Sequence, residues 1–310
     1  MRKRLIYEMK GMYRDPFRIT GYEFGSGHKA LCIVGNSRGN EVQQIYCCSQ
    51  LIRKCRQLEE EGRIAEGHKI LIIPSINPYS MNTQKRFWST DNTDINRMFP
   101  GYDLGETTQM IAAAVFKEIE EFDYGIQFTS FYMPGDFVPH VRYMDAGYSD
   151  YETAQKFGLP YIVERKTRSY DTTTLNYNWQ VWNTKAYSLY TSTTSRIDRT
   201  GAGKAVMAVM NFMANLGMIR YSVVGKVNFR KVLDTELISV STEKSGIYES
   251  LVKAGSRVAM GQPMAYIIHP YEGDIMEALY APTDGIVFFA HSDPLTYANT
   301  AVIKILEDPG

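Results

Sequence analysis

Short apolar runs alternate with longer stretches of helical periodicity over the first two thirds of the chain. Each apolar run has the length of a buried strand, and each longer stretch repeats apolar residues three or four positions apart. Strands are predicted at Lys29–Val34, Lys69–Ile73, Tyr124–Phe128 and Ala186–Tyr190, and helices at about 41–61, 106–121 and 203–216. This alternation predicts an α/β fold with a mostly parallel or mixed sheet flanked by helices.

The pattern changes after about residue 222. Beyond this point, short β-like runs are separated by Gly, Pro and Asp, and Gly246-Ile247 recurs 39 residues later as Gly285-Ile286. Such a weak repeat of short strands is typical of a small sandwich or barrel. We therefore predict an α/β domain over residues 1–222 and a small β-sandwich-like domain over residues 223–310.

Composition and charge argue against several classes of partner. Hydrophobic residues make up 44% of the chain, and 34 basic side chains balance 34 acidic ones. A net charge of zero argues against nucleic acid or an anionic membrane as the main partner. No stretch approaches the roughly 20 apolar residues of a membrane span. The N-terminus also lacks the apolar core of a signal peptide.

The four cysteines lie early in the chain, at Cys32, Cys47, Cys48 and Cys55. Their spacing contains no CxxC pair of the kind that binds metals or performs redox chemistry. Reduced and mostly buried thiols are typical of a cytosolic protein. We therefore predict a cytoplasmic location.

The segment DNTDINRMFPG, residues 91–101, is the most distinctive motif of the chain. It resembles the DGxDLNRxFPG signature of the succinylglutamate desuccinylase/aspartoacylase family, which belongs to the zinc carboxypeptidase clan. The resemblance includes GNSRGNE at 35–41, IPSINP at 73–78 and GETTQ at 105–109, and it covers roughly residues 20–222. It implies a zinc carboxypeptidase-like fold and a zinc-dependent hydrolase that acts on amide C–N bonds.

The C-terminal β-domain also fits that family. It is similar to the hybrid sandwich of biotinyl and lipoyl carrier domains, which present a lysine on the hairpin between their halves. The corresponding stretch, His269–Pro282, contains no lysine. Covalent carriage of a cofactor is therefore not expected.

Arginine and asparagine side chains in and near the 91–101 motif indicate carboxylate recognition. A guanidinium presents a planar fork that binds a carboxylate through two hydrogen bonds. By the resemblance, Asn96 and Arg97 hold the substrate carboxylate, and Arg86 adds a second positive group. The alternative is that Arg97 forms a structural ion pair with Asp91 or Asp94.

The resemblance also locates the zinc site of the family, which uses an HGxE turn and a later histidine at the end of a strand. The matching turn is RGNE, so Arg38 stands at the first histidine position, and Glu41 is the only retained ligand position. Thr129 matches the second histidine, and Tyr190 matches, more loosely, the general-base glutamate.

These substitutions argue against the ordinary zinc mechanism. A single carboxylate does not hold zinc against water, a guanidinium repels a cation, and tyrosine is a poor base near neutral pH. We therefore expect no cofactor, with zinc bound only if the family site is somehow retained. Arg38 is then expected to supply fixed positive charge where the metal stood and to pair with Glu41.

A relocated metal site is the other possibility considered. The five histidines show no HxxxH or HExxH spacing. His140 lies shortly after the Thr129 strand, where, together with Arg142, it is within reach of the same pocket. A lone histidine near a loop is more often a structural hydrogen-bonding residue.

Two functions from different classes follow. The first is a pseudoenzyme or binding protein for a small anionic acyl-amino acid or peptide. Its recognition residues are Arg38, Arg86, Asn96, Arg97 and Arg142, and their aromatic neighbours are Phe131, Tyr132 and Tyr190. The second is an active metal-dependent amide or ester hydrolase (deacylase or carboxypeptidase-like) with an altered metal site at Glu41 and His140, or with no metal. A homo-oligomer is compatible with either function.

Overall fold

The structure is a computed structural model that describes residues 1–11, 15–223 and 227–308. Its strands are β1 Arg2–Met9, β2 Phe17–Gly25, β3 His28–Asn36, β4 His68–Ser75, β5 Tyr124–Thr129, β6 Gly135–Phe137, β7 His140–Asp145, β8 Tyr161–Lys166, β9 Lys185–Tyr190, β10 Arg230–Leu233, β11 Leu237–Ser241, β12 Gly246–Ser250, β13 Arg257–Val258, β14 Pro263–Ile268, β15 Ile275–Tyr280, β16 Gly285–His291, β17 Leu295–Thr296 and β18 Ala301–Glu307. Its helices are α1 Val42–Glu60, α2 Pro78–Asn82, α3 Thr107–Ile119, α4 Tyr151–Gln155, α5 Leu175–Val181 and α6 Arg199–Asn215, with 3-10 turns at Ile95–Arg97, Ser169–Asp171 and Asp234–Glu236. Within the described ranges, no helix is long and apolar enough to cross a membrane.

The larger sheet has nine strands in the order β1-β2-β4-β3-β5-β9-β7-β8-β10. At its centre β3 runs parallel to β4 and β5, and β5 runs parallel to β9, whereas β7 is antiparallel to β9. The sheet is therefore mixed, as the sequence pattern predicted. Because parallel neighbours end at the same edge of a sheet, the residues that follow β3, β5 and β9 are brought together.

Helices cover both faces of this sheet, and the residues of β3 alternate between the two sides. Leu31 and Ile33 pack in the hydrophobic cluster that includes residues of α1 and α6. Cys32 and Val34 pack in the cluster that includes residues of α3 and α5. A strand buried on both faces needs a continuous apolar run, which explains why these central strands were predicted correctly.

Strands β1 and β2 form an antiparallel hairpin that the sequence analysis did not predict. Strand β1 begins with three charged residues and has only three consecutive apolar ones, so it lacks the longer apolar run of the central strands. Its charged positions form ion pairs across the hairpin, since Arg2 Nε donates to Glu23 Oε2 at 2.7 Å and Arg4 Nη1 donates to Glu23 Oε1 at 3.0 Å. Ile6 is the one buried residue of β1, and such sparse burial is typical of an antiparallel strand with a solvated face.

The chain forms two compact units. The first comprises Met1–Thr129, Pro139–Thr191 and Ser195–Lys231, and the second comprises Ser130–Val138, Ser192–Thr194 and Val232–Gly310. Two short segments from the middle of the chain therefore belong to the second unit. The domain boundary between residues 222 and 223 stays a prediction, and residues 224–226 lie outside the described residues.

Within the second unit, the two halves of the sequence repeat exchange strands. The repeated glycines Gly246 and Gly285 begin β12 and β16. β12 pairs with β17, and β16 pairs with β13, so each half of the repeat contributes a short strand beside the long strand of the other half. The resulting sheets have the orders β15-β14-β12-β17 and β11-β18-β16-β13. The predicted small β-architecture at the C-terminus is confirmed.

The four cysteines are free and buried. Burial raises the pKa of Cys55 to about 12, and burial together with the charge of Asp198 raises the pKa of Cys47 to about 12. Both thiols therefore stay protonated at neutral pH and contribute to packing rather than to chemistry.

Candidate functional site

A buried arginine lies in the turn that follows β3. Arg38 is 6% exposed, and its Nη1 lies 3.2 Å from Glu41 Oε1. On the other side, its Nη2 and Nε donate to Asp94 Oδ2 at 2.8 and 3.2 Å. Burial alone would lower the pKa of the Arg38 guanidinium, but the charges and hydrogen bonds of Glu41 and Asp94 raise it above its ordinary value. A permanent positive charge is therefore fixed between two carboxylates.

The backbone of the same turn holds Glu41. Its Oε2 accepts hydrogen bonds from the backbone N–H groups of Ser37 and Arg38, at 3.3 and 3.2 Å. Gly39 belongs to the same turn. A Cβ on this residue would lie 2.3 Å from the carbonyl carbon of Ser80, so the turn requires glycine at this position. Both carboxylate oxygens of Glu41 are thus engaged inside the turn, one by a guanidinium and the other by the backbone.

The 91–101 motif connects this turn to the sheet. Asp94 Oδ1 accepts a hydrogen bond from Asn96 N at 3.1 Å, while the other oxygen of the same carboxylate binds Arg38. Asn96 Oδ1 in turn accepts a hydrogen bond from Gln127 Nε2 on β5 at 2.7 Å. The motif therefore fixes the Arg38 turn against the C-terminal end of β5.

Three of the predicted site residues share one face of the sheet. Thr129 is in register with Tyr190 across β5 and β9, and Tyr190 is in register with His140 across β9 and β7. Gln44 of α1 lies over this row, since its Nε2 donates to Thr129 O at 3.3 Å. Among the residues that the structure describes, neither Thr129 Oγ1 nor Gln44 Oε1 has a hydrogen-bond partner. Thr129 and Gln44 therefore keep hydrogen-bonding capacity that no described residue uses.

The Tyr190 ring contacts an imidazole and a guanidinium. His140 stacks on it with ring centroids 4.3 Å apart and planes tilted by 14°. The guanidinium carbon of Arg142 lies 4.6 Å from the ring centroid, and Arg142 Nη1 donates to Tyr190 Oη at 3.1 Å. Arg142 is buried. After Arg38, it is the second buried guanidinium among the predicted site residues, and it lies within cation–π distance of an aromatic ring.

Arg97 contacts the second 3-10 turn. Its Nη1 donates to Tyr170 O at 2.6 Å and lies 3.8 Å from Asp171 Oδ1, with the guanidinium 5.8 Å from the Tyr170 ring centroid. Within the described part of the chain its ion-pair partner is Asp171, while Asp94, one of the partners considered from sequence, pairs with Arg38. The Arg97 side chain is 34% exposed, so part of its fork faces solvent.

Arg86 is linked to the Arg38 turn through its backbone. The Arg86 carbonyl accepts a hydrogen bond from Gly39 N at 3.1 Å, and its guanidinium carbon lies 5.6 Å from the ring centroid of Phe87. Its side chain is partly buried. The structure thus positions Arg86 beside the turn that carries Glu41.

Two aromatic residues expected beside the site belong to the second unit. Phe131 packs there against Phe137 and Phe289, with ring centroids 5.4 and 4.8 Å apart. Tyr132 is exposed. Their predicted role in ligand recognition stays a prediction.

Sequence reasoning missed three residues that build the site. Asp94 was considered only as a partner of Arg97, and Gln44 and Gln127 were not considered. A signal was present for two of them: Asp94 lies inside the 91–101 motif, and Gln127 interrupts the apolar residues of β5. Gln44 gave no such signal, because α1 carries many other polar residues. Buried polar side chains of this kind are normally hydrogen-bonded or functional.

The residues at the predicted metal positions can be compared with the needs of zinc. A zinc ion takes nitrogen, sulfur or carboxylate ligands in a tetrahedral arrangement. The three matched positions hold a guanidinium, a carboxylate already engaged by that guanidinium, and a hydroxyl. Within the described ranges, no group of three or more His, Cys, Asp or Glu residues is arranged to hold a metal ion. The donor set therefore does not fit zinc.

Comparison with known sequences identifies a matching family model and a curated relative. The model described as the succinylglutamate desuccinylase/aspartoacylase catalytic domain matches residues 27–178. N-alpha-acetyl-L-2,4-diaminobutyric acid deacetylase of Halomonas elongata is 23% identical over 282 residues, which cover 87% of this chain and 79% of that protein.

Solved structures with similar folds cover nearly the whole chain. A succinylglutamate desuccinylase/aspartoacylase from Rhodobacter sphaeroides aligns with a TM-score of 0.81 at 19% identity and covers 99% of this chain and 96% of that one. The product-bound ectoine utilization protein EutE from Ruegeria pomeroyi aligns with a TM-score of 0.77 at 18% identity and covers 94% of this chain and 90% of that one. The chain shares the fold of these proteins, and residues 27–178 belong to the succinylglutamate desuccinylase/aspartoacylase family.

Proposed function

We propose that this protein binds a small carboxylate-bearing acyl-amino acid or peptide on a deacylase scaffold whose zinc centre has been replaced by an arginine-centred ion-pair cluster. The cluster consists of Arg38, Glu41 and Asp94. The observation that carries the proposal is the double ion pair of the buried Arg38 guanidinium, at 3.2 Å from Glu41 and 2.8 Å from Asp94.

The charge of Arg38 opposes binding of a metal ion at this place. Arg38 already neutralises the one carboxylate retained from the family's ligand set. A divalent cation at the same place would meet a fixed positive charge in a buried environment, where Coulomb repulsion is poorly screened. Glu41 would also have to exchange its guanidinium and backbone hydrogen bonds for the metal. The cluster therefore competes with metal binding both electrostatically and geometrically.

The side chains at the matched positions are also poorly suited to hydrolysis. Deacylation in a metal site depends on a water molecule made nucleophilic by the ion, with a general base nearby. Thr129 and Tyr190 supply hydroxyl groups in place of a ligand and a base. Tyr190 Oη accepts a hydrogen bond from Arg142, and its ring is stacked on His140. These residues support binding and orientation of a ligand better than hydrolysis.

The positive side chains of the site favour recognition of an anion. The site region keeps four positive groups, Arg38, Arg86, Arg97 and Arg142. Arg97 is the best placed for an exchangeable ligand, because its side chain is partly exposed and a guanidinium has five N–H donors, of which one donates to Tyr170 O. A partly exposed arginine fork of this kind favours a carboxylate.

The ligand class follows from this chemistry and from the named relative. The Halomonas elongata protein is a deacetylase of an N-acetylated diamino acid by its name. A ligand with one carboxylate and one acyl amide would offer an anion to the arginines and polar amide atoms to the unused groups of Thr129 and Gln44. Four free, buried thiols also support a cytoplasmic location.

An active deacylase is the second candidate, and family membership is the observation that favours it. It requires a metal-ligand set that differs from the matched positions, such as one built around Glu41 and His140. His140 is engaged in a stack with Tyr190 and Glu41 in an ion pair with Arg38. Both would have to rearrange, so this candidate is less well supported.

Substitution of Arg97 tests the proposed ligand class. Arg97→Ala is expected to weaken binding of an N-acyl amino acid by about one to two decades, because a charged hydrogen bond is lost. Arg97→Lys is expected to retain part of the affinity, because lysine keeps a point charge without the fork. Titration calorimetry with N-acetyl and N-succinyl amino acids measures both.

The matched control is Arg18→Ala, since Arg18 is an exposed arginine paired with Glu8 on the β1–β2 hairpin. It should bind the ligands like the unmodified protein. Equal affinity of all four proteins would mean that Arg97 is structural, and binding of no member of the panel would contradict the proposed ligand class.

A further inference from the structure

A polar pocket of about 250 Å³ lies within the second unit, and its lining includes Tyr248, Ser250, Lys253 and His291. We propose that this pocket binds a small uncharged polar molecule through the side chains of His291 and Tyr248. None of the residues of the arginine-centred cluster takes part, so this inference is independent of the proposed function. We call this the β-unit pocket.

His291 is the last residue of β16 and is 5% exposed. Its Nδ1 lies 2.9 Å from the carbonyl oxygen of Pro134, and because a carbonyl can only accept, Nδ1 carries the hydrogen. The neutral imidazole then presents a lone pair at Nε2. Of the residues that the structure describes, none is a hydrogen-bond partner of Nε2, although this atom is buried.

Tyr248 supplies the complementary group. It is 6% exposed, and its ring centroid lies 5.3 Å from that of His291. The neighbouring Ser250 hydroxyl donates to Val252 O at 2.9 Å. Among the residues that the structure describes, none, Ser250 included, is positioned to form a hydrogen bond with Tyr248 Oη. Burial raises the pKa of Tyr248, with a smaller opposing effect of Ser250, so the phenol stays protonated and can donate.

These two atoms define the chemistry of the ligand. Nε2 of His291 needs a donor, and the O–H of Tyr248 needs an acceptor. A carboxylate offers only acceptors and an ammonium offers only donors, whereas a carboxamide or an alcohol offers both. Asp136 and Lys253 also line the pocket, so the wall carries one charge of each sign and gives no preference for a charged ligand.

Burial makes the match favourable. A buried polar group without a partner costs free energy, and a ligand that satisfies two such groups removes that cost. The volume is slightly below the range of about 300–1,000 Å³ that is usual for drug-sized ligands. The molecule is therefore small, with the size of an amino-acid side chain or a short polyol.

Nuclear magnetic resonance of the full chain with ¹⁵N-labelled histidine tests this proposal. The probes are acetamide, ethylene glycol and, as an acceptor-only comparison, sodium acetate. The chain has five histidines, and the His291 signals are identified by their loss in His291→Asn, which keeps an N–H near the position of Nδ1. A saturable change at His291 Nε2 is expected with at least one neutral probe and not with acetate. A response to acetamide alone indicates a carboxamide ligand, and a response to glycol alone indicates an alcohol.

Tyr248→Phe separates a binding role from a structural one. The variant should bind the active probe about three- to tenfold more weakly, because one hydrogen bond is lost. Its Tm should be unchanged or higher, because the removed hydroxyl has no described protein partner. The proposal is overturned if neither neutral probe changes the His291 signal saturably or if acetate produces the same response. A fall in Tm of more than about 4 °C in Tyr248→Phe would also overturn it.

Discussion

We expect Arg38→Met to lower the free energy of unfolding by about 3–5 kcal/mol, because the substitution leaves two carboxylates without their shared counter-ion. The side chains of Glu41 and Asp94 are 1% and 13% exposed, so water screens neither charge well. Methionine keeps most of the packing volume, which limits the contribution of an empty space. Urea unfolding followed by circular dichroism measures the change.

The matched control for this prediction is Arg18→Met. Arg18 pairs with Glu8 at 2.6 Å, but its side chain is 55% exposed, and removing such a surface pair should cost no more than about 1 kcal/mol. A second variant combines Arg38→Met with Glu41→Gln and Asp94→Asn, and it should recover part of the lost stability because no unpaired charge remains. Equal small losses for Arg38→Met and Arg18→Met would contradict a central role of the cluster.

The triple variant Arg38→His, Thr129→His, Tyr190→Glu is expected to gain zinc binding. It restores two nitrogen ligands beside Glu41 and removes the positive charge that repels a cation. A dissociation constant of about 1 μM or lower, equivalent to about 8 kcal/mol of binding free energy, is the expected gain. Competition with a chromogenic zinc chelator measures it.

Two controls accompany the triple variant. Arg38→His alone should not bind zinc tightly, because Thr129 still lacks a ligand atom suited to the metal. Adding Glu41→Gln to the triple variant should abolish the gained affinity, since it removes the carboxylate ligand. Hydrolysis of N-acyl amino acids is harder to restore than zinc binding. Neighbouring hydrogen bonds orient metal ligands, and in this protein those hydrogen bonds are arranged around Arg38. If the triple variant folds correctly but does not bind zinc, the proposal that this turn derives from a metal site is contradicted.

The central strands could be predicted from sequence because each is buried on both faces. The predicted strand Lys69–Ile73 contains a continuous apolar run from Ile70, and β4 extends the prediction by only a few residues at the ends. The β1–β2 hairpin could not be predicted in the same way, because its charged positions are explained only by cross-strand ion pairs such as Arg4 with Glu23. Such pairs depend on register, which a single strand sequence does not reveal.

The candidate site was predictable only as far as the 91–101 motif and the RGNE turn. The ion pair of Arg38 with Glu41 is local and was expected from the turn. The ion pair of Arg38 with Asp94 joins residues 56 positions apart, and sequence alone does not bring them together. The stack of His140 on Tyr190 likewise depends on the antiparallel register of β7 and β9.

We propose that an arginine-centred ion-pair cluster occupies the place of the family's metal ion. The most direct measurement is the zinc content of the full chain, purified without chelator, incubated with zinc and then dialysed, with the triple variant carried through the same steps. We expect the unmodified protein to retain far less than one zinc ion per chain, and the triple variant to retain about one per chain. About one tightly bound zinc per unmodified chain would contradict it.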